Sequence, residues 1–187
     1  MAFDSFLSFY VCFREVFRTM LSDVIKKYGG EKMDPLDVYK DIFRIGEGFI
    51  QKEYEDSGSF KANPIAYYKN ENEDHGHFRI MFEDKFEEIY RNELVNADFC
   101  VMNGLTYFGA KYTSDRASKM CAMIFDIDGV TDNSLNNFFY AAFNKEFDYY
   151  PLPNYVALSG HGVHLYYVFE EPVPLFPNLK LQLKEFK

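Results

Sequence analysis

Met123-Ile-Phe-Asp-Ile-Asp-Gly129 and Tyr155-Val-Ala-Leu-Ser-Gly-His-Gly-Val-His-Leu-Tyr-Tyr-Val-Phe169 decide how this chain folds. Each is an apolar run of strand character that stops at polar, chemically capable residues. Side chains at i and i+2 of a strand share a face, so Asp126 and Asp128 project together from the end of the first run. Two carboxylates a few ångströms apart repel, and a positive group between them offsets that cost. Hard oxygen donors suit magnesium or manganese, which makes the pair a candidate site for a divalent ion. In the second run, Ser159, His161 and His164 are hydrogen-bond donors around a turn whose Gly160 and Gly162 let backbone amides come close to an anion.

Outward from these runs, Asn133 or Ser134 caps a helix reaching about Phe147, with Leu135, Phe138, Phe139, Ala142 and Phe143 inward. Pro151 and Pro153 break the chain before the second run. From residue 120 the order is strand, helix, strand, tight turn, strand. An antiparallel pair beside a β-α-β unit is the core of a palm-like, RRM-like sheet. Just upstream, Phe99 to Met102 and Leu105 to Phe108 flank Asn103-Gly104, which predicts a hairpin with a two-residue type I′ turn. The polar loop Lys111 to Lys119 carries Lys111, Arg116 and Lys119, which either face phosphates or form a solvated connection.

The first half of the chain reads as helical. Phe3, Phe6, Leu7, Tyr10, Phe13, Phe17, Met20, Leu21 and Val24 follow helical spacing, with a stop at Gly29-Gly30. Asp34-Pro35 opens a second helix that fades near Tyr54. Phe82 to Val95 forms a third, with Phe86, Ile89, Tyr90 and Leu94 inward. Between them, His75 and His77 near Asp74 either ligate zinc or sit in a solvated loop. The chain has 187 residues, room for one domain or one domain with an appendage. A net charge of −9 argues against coating nucleic acid by bulk electrostatics, though not against a local basic groove. Cys12, Cys100 and Cys121 form no CxxC pair, and a reducing cytoplasm suits them. No apolar run reaches the roughly 18 residues of a membrane span, and the N-terminus lacks the basic start and cleavage site of a signal peptide.

Phe125-Asp-Ile-Asp-Gly129 followed by Ser159-Gly-His-Gly-Val-His-Leu-Tyr-Tyr-Val168 resembles the archaeo-eukaryotic primase superfamily, in particular the primase-polymerases of phages, plasmids and other mobile elements. The resemblance covers roughly residues 99 to 178. It implies an α+β fold with a palm-like sheet over 99–187 and a mainly helical N-terminal extension over 1–98. It implies metal-dependent nucleotidyl transfer from nucleoside triphosphates on a single-stranded DNA template, with a helicase domain or protein as a further partner. Asp126 and Asp128 match the family's DxD and would hold magnesium or manganese. His164, directly before an apolar strand, matches the His of the second motif. Ser159 and His161 lie where the family contacts the triphosphate, and Arg116 and Lys119 are candidates for nucleotide or template.

The family's third motif carries a further acid, and here the chain departs from the pattern. No Asp follows Asp148, and Glu170, Glu171 and Glu185 are placed at a strand end and on a helix. With the helix beginning at Asn178 barely two turns long, the expectation is an N-terminal part of a longer protein whose third acid follows. Two other readings stay open. Phe125-Asp-Ile-Asp-Gly-Val130 also resembles the first motif of haloacid-dehalogenase-type phosphatases, in which the first Asp is a nucleophile and the second an acid/base. An inactive palm serving as a replication interaction module is the other.

Overall fold

The structure, a computed structural model, describes residues 8–11, 18–55, 61–144, 151–158 and 162–185. It is a mixed α+β protein. Two compact units form, each from two chain segments: Met1–Val38 with Met123–Val168, and Tyr39–Ala122 with Phe169–Lys187. This differs from a division at residue 98. The segment expected to be a helical extension supplies strands to both sheets.

The first unit is built around β7 (Ala117–Asp128), α4 (Asp132–Phe143), β8 (Tyr155–Leu158) and β9 (Gly162–Pro174), with β7 and β9 running on into the second unit. β9 pairs antiparallel with β8 in the register Tyr155↔Tyr166 to Leu158↔Val163. β9 also lies next to β7. His164 meets Asp126 near one end of that pair and Leu175 N–H meets the Ser118 carbonyl near the other, so these two strands are antiparallel as well. β7 and β8 are therefore parallel to each other, joined by α4 and split by β9. This is the β-α-β arrangement with an antiparallel partner that the pattern from residue 120 predicts.

Two strands extend this sheet beyond β8. β1 (Ser8–Val11) pairs parallel with both β8 and β2 (Glu31–Met33). Ser8–Val11 is thus a strand within the stretch expected to be helical from Phe3 to Val24, of which Phe3, Phe6, Leu7, Phe13 and Phe17 lie outside the described residues. Ser-Phe-Tyr-Val has the aromatic and β-branched content of a strand, and pairing on two sides outweighs its helical spacing. Helix α1 (Arg18–Lys27) begins later and stops where expected. Gly30 N–H reaches the Ile25 carbonyl and Gly29 N–H that of Lys26, a Schellman closure with Gly29 at φ 85°. α1 and α4 pack on one face of the sheet. Ile25, Leu135, Phe139, Val156, Leu158, Val163 and Leu165 form the buried cluster, flanked by Tyr28 and Tyr167. The predicted inward face of α4 holds for Leu135 and Phe139, which are buried, and for Phe138, which packs against them. Phe143 is exposed on one side and stacks on Tyr28 with the other. The cap is Thr131 rather than Asn133 or Ser134: Thr131 and Ser134 exchange side-chain and backbone hydrogen bonds in a capping box.

Asp34 caps α2 (Pro35–Ile42), whose chain runs on into the second unit, as predicted, its Oδ1 accepting the Leu36 N–H at 2.9 Å. The helix ends at Ile42, well short of Tyr54. Ile45 N–H turns back to the Lys40 carbonyl and Arg44 N–H to that of Asp41, with Arg44 itself at φ 52°. The left-handed residue that closes the helix is an Arg, so the usual Gly signal is missing at that position. Gly46 and Gly48 follow, and their amides donate to Oε1 of the buried Glu83 at 3.2 and 2.7 Å. Phe82 to Val95 coils as expected, but with three pitches: a 3₁₀ turn over Glu83–Lys85, α3 (Phe86–Ile89) and a π turn over Tyr90–Leu94. All four residues predicted to point inward are buried.

The predicted hairpin at Asn103-Gly104 is replaced by a sheet-to-sheet crossing. β5 (Phe99–Met102) pairs with β3 (Ile65–Lys69), which also pairs with β4 (His77–Ile80), while β6 (Leu105–Tyr107) pairs with β7. A type I′ turn needs positive φ at both central residues, and neither has it. Asn103 instead makes an Asx turn to Leu105 N–H and donates through Nδ2 to the Tyr107 and Tyr112 hydroxyls at 2.7 Å each. Gly104 is pressed on β7: a Cβ there would lie 2.3 Å from the Ala122 carbonyl oxygen. The antiparallel connection falls one step later, between β6 and β7, and β7 begins at Ala117 rather than Met120. β9 likewise runs on through Pro172 to Pro174. Leu175 N–H points at β7, so alternation turns the ring nitrogens of Pro172 and Pro174 away from that ladder. α5 (Pro177–Glu185) starts one residue before the expected cap Asn178. Its Leu179 and Leu183 pack on the cluster of Ile65, Tyr107, Ala117 and Leu175.

Gly104→Ala is expected to lower stability by about 1–3 kcal/mol, because a backbone carbonyl cannot yield as a side chain can; a lower urea midpoint at unchanged slope checks it. Burial pushes the Tyr107 phenol from its ordinary 10 up to about 12. The folded chain therefore holds this proton more tightly than the unfolded chain. The stability it contributes is whole below pH 10 and is lost as pH rises toward 12. Tyr107→Phe should flatten that alkaline limb in a pH series of urea unfolding.

Candidate functional site

The sheet of the first unit divides its residues by alternation. Val156 and Leu158 on β8, and Val163, Leu165 and Tyr167 on β9, face α1 and α4. Phe125 joins that face of β7 by packing edge-on against Tyr167. Their neighbours Ala157, His164 and Tyr166, and on β7 Asp126 and Asp128, therefore belong to the opposite face. The two carboxylates come at the very end of β7. Gly129, at φ 67°, turns the chain away from the strand, and the Thr131 cap then starts α4.

On this face His164 Nε2 lies 3.1 Å from Asp126 Oδ1, an ion pair whenever the ring carries its second proton. The His164 side chain is 30% exposed and that of Asp126 67%. Behind them the strand is closed off, since Tyr155, Ala157 and Tyr166 are all buried. The site is thus an open carboxylate pair with a half-buried imidazole against one member. It can bind a hard cation through Asp126 and Asp128, and it can present an N–H to an anion held by that cation.

Asp126, Asp128 and His164 are the predicted residues that the structure brings together. Ser159 and His161 lie outside the described residues. Lys119 is not in a loop before the strand but on β7 itself, seven residues ahead of Asp126, or roughly 23 Å at about 3.3 Å per residue. Its ammonium sits 4.5 Å from the centroid of the Phe49 ring, a cation–π contact. Arg116 is exposed, with Nε 3.6 Å from Asp115. Glu170 and Glu171 are exposed within β9 rather than at its end. Among the described residues no group of three or more His, Cys, Asp or Glu side chains is placed to hold a metal. His77 of the candidate zinc loop pairs with Glu73 at 3.2 Å and packs on Tyr68. One chemically furnished place went unread in the sequence. A cavity of about 370 Å³ in the second unit is lined by Gly48, Lys52, Lys61, Glu83 and Asp84, among others. Its residues come from separate stretches that carry no motif.

A double-mutant cycle of Asp126→Asn with His164→Gln is expected to give a coupling of about 0.2–1 kcal/mol, the range for a pair this open to solvent; the same cycle with Asp128→Asn should give less. Urea unfolding in low salt checks both. No protein-family model, curated protein or solved structure matches the chain.

Proposed function

We propose that this chain is a palm of the primase-polymerase type, which transfers nucleotides from nucleoside triphosphates on a single-stranded DNA template. One observation carries the reading. The Asp126/Asp128 pair ends the first strand of a split β-α-β sheet, on the face away from its helices, and His164 stands against it from the adjoining antiparallel strand. Asp126 and Asp128 would hold magnesium or manganese, which supplies charge neutralisation for a triphosphate. Two carboxylates suffice for such an ion when substrate phosphates complete its coordination. His164, 3.1 Å from Asp126, would donate to the triphosphate. Ser159 and His161 are assigned the same task from sequence alone, and Arg116 and Lys119 remain candidates for the template.

The phosphatase reading implies a long αβ domain following the strand. Here β7 has antiparallel neighbours, β9 and β6, which is not the setting of a doubly wound parallel sheet. Among the described residues no helix is long and apolar enough to cross a membrane.

Calorimetry of ATP and dATP binding, with and without manganese, tests the proposal. Binding should require manganese and should be lost in Asp126→Ala and His164→Ala. Manganese alone should bind weakly. Absence of nucleotide binding in every condition would overturn the reading, and turnover of a simple phosphate ester would favour the phosphatase.

A further inference from the structure

Gly162 opens β9 two residues before His164 and is buried. What singles it out is space. A Cβ built on it would lie 1.9 Å from the Ile127 carbonyl oxygen, 2.8 Å from the Ile127 carbonyl carbon and 2.9 Å from the Asp128 Cα. All three are backbone atoms of β7, between or at the two carboxylate-bearing residues. No rotamer change can relieve that contact. Only a separation of β7 from β9 can, and it would open the sheet where Asp126 and His164 meet at 3.1 Å.

We propose that Gly162 is a positioning residue: by letting β9 lie directly on the Ile127–Asp128 backbone, it sets the strand separation that holds His164 against Asp126. Gly162 is therefore not merely an opening through which amides approach an anion. Its consequence for nucleotide binding rests on the function proposed above, whereas its consequence for the Asp126–His164 contact does not.

The test has a structural and a functional arm. In the unmodified chain, a nuclear Overhauser contact between the Gly162 and Asp128 Hα protons is expected, and its absence would overturn the proposal whatever any variant does. At fixed pH, Gly162→Ala should move the His164 ring resonances to the positions they take in Asp126→Asn, and adding Asp126→Asn to Gly162→Ala should then change nothing further. Unmoved resonances in Gly162→Ala would also overturn it. Val163→Ala, a truncation on the core face of the same strand, should lower Tm yet leave these resonances in place. In the functional arm, Gly162→Ala should weaken manganese-dependent ATP binding on the order of a hundredfold, while Val163→Ala retains it. If the unmodified chain binds no ATP, the function fails and the resonances alone decide the role of Gly162.

Discussion

Strand β7 is approached more closely by its neighbours than side chains permit, and this constraint orders what surrounds it. On one strand partner, Gly104 sits over the Ala122 carbonyl; on the other, Gly162 sits over that of Ile127. Neighbouring strands ordinarily lie about 4.7–4.9 Å apart with Cβ atoms standing clear of the pleat. Where a backbone carbonyl occupies the Cβ position, glycine is demanded by packing and not by turn conformation. The Asn103-Gly104 dipeptide shows how the two demands can be confused. Its Gly serves close approach and its Asn serves a hydrogen-bond network to two tyrosines, while the chain crosses from one sheet to another.

Alternation along β8 and β9 separates stability from chemistry residue by residue. Val163 and Leu165 hold α1 and α4 on one face, leaving His164 between them free to face the other way. The same parity rule sends Phe125 to the helix side of β7 and Asp126 away from it. A carboxylate pair on such a strand is tolerable because both groups stay open to water and one has an imidazole beside it. The chain's net charge of −9 is shared by this site, whose two carboxylates add to it locally.

The strands and helix from residue 120 onward were legible because their periodicity is local, although the cap of α4 is Thr131, a few residues before the one expected. The same holds for Gly29 closing α1, for Asp34 opening α2, and for the inward residues of the coil from Phe82 to Val95. Ser8–Val11 was not legible as a strand, since what makes it one is pairing with β2 and with β8 far along the chain. The end of α2 was hidden by an Arg in the left-handed position, and the fate of Asn103-Gly104 by a glycine serving a purpose that no local pattern encodes. Of the site, Asp126, Asp128 and His164 could be named from strand parity and motif. The displacement of Lys119 onto β7 could not, because it depends on where a strand begins and on an aromatic ring seventy residues earlier.

Because each compact unit is assembled from an early and a late segment, neither is complete until most of the chain exists. β1 finds one of its two partners only when β8 has been made, nearly the whole chain later. Contacts of such high sequence separation slow folding, since loop closure must precede any gain from pairing. During synthesis the early strands wait with unsatisfied edges, a state prone to association with other chains. A ribosome-bound chain halted before residue 155 would therefore be a client for chaperones rather than a folded fragment.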